Sequence, residues 1–86
     1  MQVQALSARV LAGEVSPRPD GSVAVWRVVR GKWRVVGHPI LDASGKFKLP
    51  LQLRPVEYRI TVAAGRLAAA QRSLYLTRRM LQSLEQ

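Results

Sequence analysis

The amino-acid sequence predicts an all-β domain, built as a sandwich or a small barrel. Apolar and polar side chains alternate with a period of two, which is typical of strands that bury one face. Turn-forming residues interrupt this alternation about every eight to twelve residues. The chain has 86 residues, enough for one small domain with a modest core. These observations together predict about six or seven short antiparallel strands.

Two stretches show the alternation most clearly. From Lys46 to Leu53, a phenylalanine and three leucines point to one face, while lysines, a proline and a glutamine point to the other. From Val56 to Val62, apolar and polar residues alternate in the same way. Because Pro50 has no amide hydrogen to donate, its strand should lie at a sheet edge, or the proline should occupy an outward position without a backbone hydrogen bond. The first strand is the second candidate edge. Residues 42–45, Asp-Ala-Ser-Gly, have the composition of a turn.

Residues 22–37 form a candidate hairpin with the sequence SVAVWRVVRGKWRVVG. Gly31 marks its turn, so residues 29–32 are the candidate loop. A loop at that position fixes which residues of the two strands face each other across the hairpin. If residues 29–32 form the loop, Val28 pairs with Trp33, Trp26 with Val35, and Arg27 with Arg34.

The sequence alone decides neither this register nor the side of the sheet on which the tryptophans lie. Val23 and Val25 fall on the Arg27 side, so both faces of the hairpin carry apolar residues. A bulge near Trp26 would bring both sets inward. Because large aromatic side chains supply much of the buried area of a small core, we expect Trp26 and Trp33 to be buried in it.

The two ends of the chain are less regular. Residues 1–10 are predicted as a strand or an ordered arm, residues 11–77 as the sandwich, and residues 78–86 as a tail or a short helix of good helix formers. Residues 67–72 are rich in alanine, which favours one helical turn or a loop before a last strand around residues 74–76.

The charge of the chain is its strongest functional signal. Fourteen Lys and Arg residues against five Asp and Glu give a net charge of +9, which draws a protein toward anionic partners. The alternative is a solvated basic surface with no partner. Lys46, Lys48 and Arg59 are predicted to form one basic face on adjacent strands. The candidate partner-binding residues are Arg27, Arg30, Lys32, Arg34, Lys46, Lys48, Arg59, Arg78 and Arg79.

The residues needed for catalysis are sparse, and we predict no enzyme, no metal site and no cofactor. There is no cysteine, which excludes disulfides and cysteine-based zinc sites. His38 is the one histidine, and Asp42 is the nearest carboxylate that could orient it. We interpret His38 as a loop residue, and Asp20 and Asp42 as turn residues beside glycines.

Five segments follow one another along the chain: Leu11-x-Gly13-x-Val15, Gly21-x-Val23-x-Val25, GKWRVVG (31–37), DASGKFKLPL (42–51) and RPVEYRITVAA (54–64). Taken in this order, they resemble the immunoglobulin-like and carboxypeptidase-regulatory-like (transthyretin-like) modules of bacterial surface proteins. The resemblance covers about three quarters of the chain and implies an immunoglobulin-like β-sandwich. Such modules serve as spacers, adhesion units, carbohydrate or protein binders and phage appendages, and they supply no catalytic residues.

We therefore expect a non-catalytic structural or interaction module, in first place a small assembly component such as a phage virion decoration protein of the capsid or tail. Its expected partner is an acidic protein surface in that assembly, or a second copy of the chain. One alternative is a spacer or adhesion module of a longer bacterial surface protein, and another is a basic nucleic-acid-binding domain. The chain begins without a signal peptide and has no apolar stretch long enough for a membrane span, so a virion location is favoured over the cell surface.

Overall fold

The computed structural model of the protein describes residues 1–19, 21–64 and 67–85. Within these residues the chain forms seven strands and one short helix, which confirms the predicted all-β sandwich and the alternative of a C-terminal helix. The strands are β1 (Gln2–Ser7), β2 (Val10–Glu14), β3 (Ser22–Val29), β4 (Lys32–Gly37), β5 (Lys46–Pro50), β6 (Glu57–Ala64) and β7 (Leu67–Tyr75), and the helix is α1 (Arg78–Leu84).

The strands are divided between two antiparallel sheets. One sheet has three strands in the order β1-β2-β5, and the other has four in the order β4-β3-β6-β7. The chain changes sheet after β2, after β4 and after β5, so strands that are neighbours in sequence contribute to both layers. As predicted, β1 and the Pro50 strand β5 lie at sheet edges.

The core lies between the inner faces of the two sheets. Along β3 and β6, alternate residues are buried, and they face each other in the register Val23 with Val62 and Val25 with Ile60. Burying one such side chain fully stabilises the fold by about 1.5 to 3 kcal/mol. The other buried residues of this cluster are Leu11, Val15, Leu41, Phe47, Leu53, Tyr58, Leu76 and Leu81.

A buried tyrosine fixes the corner between β5 and β6. Tyr58 is fully buried, and its hydroxyl oxygen accepts a hydrogen bond of 2.9 Å from the backbone amide of Arg54. A tyrosine near the start of a strand that binds the backbone a few residues upstream is a tyrosine corner, a feature of Greek-key sandwiches. This contact holds the chain where it crosses from one sheet to the other.

The predicted turn before β5 is held by one carboxylate. Oδ1 of Asp42 accepts hydrogen bonds from the amides of Ser44 and Lys46, both at 2.9 Å, and from the Ser44 hydroxyl at 2.8 Å. These donors, first of all the Lys46 amide and then the Ser44 hydroxyl, hold the pKa of Asp42 below its ordinary value of 3.8. The structure thus assigns Asp42 a turn-forming role.

This turn makes part of the stability depend on pH. Because the folded-state pKa of Asp42 is lowered, its contribution is present above the unfolded-state pKa and is lost as the pH falls through the folded-state value. We expect the gap in free energy of unfolding between the wild type and Asp42→Asn to shrink below about pH 4. Urea unfolding of both proteins from about pH 7 to pH 2 measures this gap, and a gap that is constant with pH would contradict the assignment.

The two ends of the chain join the fold. Residues 2–7 pair with β2 as a strand, and Leu81 of α1 is buried. At the start of α1, the hydroxyl oxygen of Thr77 accepts a hydrogen bond from the backbone amide of Met80. The expectation of a helical turn or loop over residues 67–72 was wrong. Residues Leu67–Tyr75 form one strand, because pairing with β6 outweighs the helix propensity of alanine.

Candidate functional site

The hairpin of β3 and β4 has the register that a loop at residues 29–32 gives. Its turn residues Arg30 and Gly31 both have positive φ, 54° and 78°, as in a two-residue type I′ turn. A bulge is present where predicted, between the Val25 and Trp26 pairs, and the extra residue is Val36 of β4. The observed pairs are Val28 with Trp33, Trp26 with Val35, Arg27 with Arg34 and Val29 with Lys32.

The bulge does not bring the tryptophans inward, and their expected burial in the core was wrong. Along β3, Val25 pairs with Ile60 on the inner face, so the next residue, Trp26, points to the outer face. Trp33 lies on that outer face as well, through its register with β3. Both indoles are half-buried, because neighbouring side chains of the sheet cover part of them.

Two contacts hold the tryptophans in place. The indole Nε1 of Trp26 donates a hydrogen bond of 3.0 Å to the hydroxyl oxygen of Thr61 on β6. The guanidinium carbon of Arg59 lies 4.2 Å from the ring centroid of Trp33, which is a cation–π contact. The Nε atom of Arg59 is shielded from solvent and has no hydrogen-bond partner among the described residues. The guanidinium group of Arg59 is therefore stacked against the indole of Trp33 on the outer face of the sheet.

These residues belong to one surface, which we call the tryptophan face. Antiparallel sheets with one face in water normally carry polar residues on that face. Here, by contrast, Val35 is 41% exposed and Tyr75 is 65% exposed on the outer side. Apolar and aromatic residues gathered on an exposed surface mark a site of interaction. The tryptophan face comprises Trp26, Val28, Trp33, Val35, Arg59, Thr61 and Tyr75.

Four of the predicted basic residues lie on the hairpin, but they divide into two groups. Arg30, Lys32 and Arg34 are exposed at the turn and along β4. Arg27 instead points to the β5–β6 corner, where its Nη1 donates to the Gln52 carbonyl at 3.3 Å and to the Tyr58 hydroxyl at 3.4 Å. Arg27 thus makes its hydrogen bonds within the domain. Arg30, Lys32 and Arg34 are exposed and are available to a partner.

The predicted basic face of Lys46, Lys48 and Arg59 was wrong, because β5 and β6 belong to different sheets. Lys46 and Lys48 pair with Glu14 and Ala12 on the outer face of the three-stranded sheet. Arg59 lies on the outer face of the other sheet, on the opposite side of the sandwich.

The two arginines predicted near the C-terminus, Arg78 and Arg79, are exposed at the start of α1. Like the lysines of the three-stranded sheet, they belong to neither β3 nor β4. Of the nine predicted residues, only Arg59 belongs to the tryptophan face. Arg30, Lys32 and Arg34 lie on the same hairpin, but Lys32 and Arg34 point to the side of β4 opposite to Trp33 and Val35.

The structure places His38 in the segment between β4 and β5. His38 is exposed and borders a pocket of about 300 Å³ whose described lining contains no carboxylate. Asp42, the predicted orienting group, accepts hydrogen bonds within its own turn. Among the described residues, no three metal-ligating side chains come together. Asp20, interpreted from the sequence as a turn residue, lies outside the described residues.

In the described part of the chain, the fold is a seven-stranded β-sandwich, and the tryptophan face gives it an aromatic outer surface that includes Arg59. No protein-family model matches the chain, and the searches of curated proteins and of solved structures found no match either. Within the described ranges, no helix has the length and apolar character needed to cross a membrane.

Proposed function

We propose that the protein is a non-catalytic interaction module that binds an acidic protein surface through its tryptophan face. In this proposal it works as a small component of a larger assembly, such as a decoration protein of a phage capsid or tail. The observation that carries the proposal is the outward position of Trp26 and Trp33 on a sheet face where polar residues are the rule.

The composition of the face supports binding to protein. Tryptophan, tyrosine and arginine are the residues most enriched at the energetic centres of protein interfaces. Trp33 and Arg59 are held by their mutual contact, so less conformational entropy is lost when a partner binds. The exposed side chain of Val35 adds apolar area beside them.

The charge of the chain supports an acidic partner. A net charge of +9 steers encounters with negatively charged surfaces, and the hairpin that carries part of the tryptophan face also carries the exposed residues Arg30, Lys32 and Arg34. Exposed charges near a binding surface accelerate association and make it sensitive to salt. A second copy of the chain would carry the same charge and is disfavoured as the partner.

The tyrosine corner supports the resemblance to immunoglobulin-like modules. Tyr58 and its hydrogen bond to the Arg54 amide reproduce a feature of that fold class, and the residues fall in one of the segments that carry the resemblance. Because this fold hosts many functions, the resemblance favours a binding or spacer role without selecting a partner. A spacer or adhesion module of a longer surface protein is the corresponding alternative.

A second candidate function, binding of single-stranded nucleic acid, is favoured by the same tryptophans. Bases stack on exposed aromatic side chains, and neighbouring basic residues bind the phosphates. The stacking surface of Trp33 is partly covered by Arg59, however, and Trp26 is half-buried and hydrogen-bonded to Thr61. We therefore rank this function second.

Intrinsic fluorescence tests the proposal directly, because both tryptophans of the chain lie on the proposed surface. The probe is poly-L-glutamate, a disordered acidic polypeptide, titrated into the wild type, Arg59→Gln and Lys48→Gln. Each variant removes one positive charge from an outward strand position, on opposite sides of the sandwich. We expect Arg59→Gln to weaken binding about tenfold and Lys48→Gln to weaken it less than about threefold.

Two outcomes would contradict the proposal. Equal losses in the two variants would show that the net charge alone attracts the polymer. An oligothymidylate of about 16 nucleotides that binds at least tenfold more tightly than poly-L-glutamate, with a steep salt dependence, would favour the nucleic-acid function. Urea unfolding of both variants checks that their folds are intact.

A further inference from the structure

The strand β4 lies at the edge of the four-stranded sheet and carries part of the tryptophan face. Its only strand neighbour in the described sheet is β3, so one side of its backbone has no strand partner. An edge of this kind accepts an extended segment of another chain through backbone hydrogen bonds. Lys32, Arg34 and Val35 are exposed along it.

The hairpin geometry determines which backbone groups point out from this edge. In a two-residue hairpin, the residues that flank the turn, here Val29 and Lys32, form a hydrogen-bonded pair, and such pairs alternate along the ladder. Lys32 and Arg34 therefore direct their backbone groups to β3. Trp33 and Val35 direct theirs outward, to the free edge.

The side chains of β4 form two rows of different chemistry. Trp33 and Val35 belong to the tryptophan face, whereas Lys32 and Arg34 point to the other side of the strand. A strand added beside β4 would place its own side chains in the same two rows. If a second copy of β4 were added, its lysine and arginine would meet Lys32 and Arg34, and this like-charge contact is unfavourable.

We infer that the β4 edge binds an extended acidic segment of a partner protein, added antiparallel to the sheet, in which acidic and apolar residues alternate. Its carboxylates lie in the row of Lys32 and Arg34, and its apolar side chains continue the row of Trp33 and Val35. Charge complementarity selects this occupant over a second copy of the chain. The inference rests on the proposed function and assigns that partner a conformation and a sequence pattern.

The test uses a fluorescently labelled seven-residue peptide of alternating glutamate and valine with blocked ends, followed by anisotropy. In antiparallel pairing, the amides opposite Trp33 and Val35 belong to the apolar residues of the peptide. N-methylation of the valine amides is therefore expected to weaken binding at least about tenfold. N-methylation of the glutamate amides, which point away from β4, leaves binding within about twofold and is the matched control.

Protein variants give a second readout. Val35→Pro removes one outward amide without removing a hydrogen bond to β3, and we expect at least a tenfold loss of peptide binding. Arg34→Glu is expected to weaken binding by a similar factor. Equal binding of the two methylated peptides would overturn strand addition. If poly-L-glutamate still distinguished Arg59→Gln from Lys48→Gln in that case, the tryptophan face would remain a binding surface and only the strand mode would fail.

Discussion

Replacement of Gly45 by alanine is expected to lower the free energy of unfolding by about 3 kcal/mol or more. Gly45 has φ +86°, a conformation that costs a residue with a Cβ about 1 to 2 kcal/mol. A Cβ at this position would also collide with the carbonyl oxygen of Val15. That carbonyl cannot move away easily, because the Val15 amide donates a hydrogen bond of 2.8 Å to the Gly45 carbonyl.

The matched control for this substitution is Gly31→Ala. Gly31 also has positive φ, +78°, but a Cβ there would meet no atom within 4 Å. Gly31→Ala is expected to lower the free energy of unfolding only by the conformational cost, about 1 to 2 kcal/mol. Urea unfolding of the two variants separates the backbone collision from the conformational cost. Equal losses would show that Val15 does not constrain the turn.

Replacement of Tyr58 by phenylalanine is expected to lower the free energy of unfolding by about 1 to 3 kcal/mol. The ring still fills the core, but the Arg54 amide loses its acceptor and Arg27 loses one of two. For a domain of this size, each 1 kcal/mol corresponds to a fall of about 4 to 8 °C in Tm. Thermal unfolding followed by circular dichroism measures the shift.

Tyr75→Phe provides the comparison, since Tyr75 is 65% exposed. Its loss of stability should stay within about 0.5 kcal/mol, as for most surface substitutions. If Tyr58→Phe were equally mild, the hydroxyl would not hold the β5–β6 corner, and the support that the corner gives to the immunoglobulin-like resemblance would be lost.

Local patterns in the sequence predicted much of the fold. The alternation from Val56 to Val62 identified the inner face of β6, because only one face of that strand is apolar. Gly31 indicated the position of the hairpin turn, and the observed register is one that the sequence had left open. Pro50 marked an edge strand, because it has no amide hydrogen.

The face of the sheet on which the tryptophans lie could not be predicted in the same way. Both faces of β3 are apolar, with Val23 and Val25 on one and Trp26 on the other, so alternation alone does not select the inner one. Pairing with β6 decides the question, since Ile60 and Val62 oppose the valines. An outward tryptophan follows from long-range pairing, which a single sequence does not reveal.

The basic residues were misplaced for a similar reason. β5 and β6 are consecutive in the chain, which favours adjacent strands, but the chain changes sheet between them. Lys48 and Arg59 therefore lie on opposite sides of the sandwich. Arg27 was grouped with the exposed arginines, although it contacts the corner built around Tyr58. Both placements depend on residues that are far apart in the sequence.

The most direct test of the tryptophan face as the contact surface is an NMR titration of the ¹⁵N-labelled protein with the glutamate–valine peptide. The two indole N–H signals of Trp26 and Trp33 report on the face independently of the backbone. We predict that these signals and the amides of Trp33 and Val35 shift most. Shifts concentrated on Lys46 and Lys48 of the opposite sheet, or spread evenly over the protein, would contradict the account.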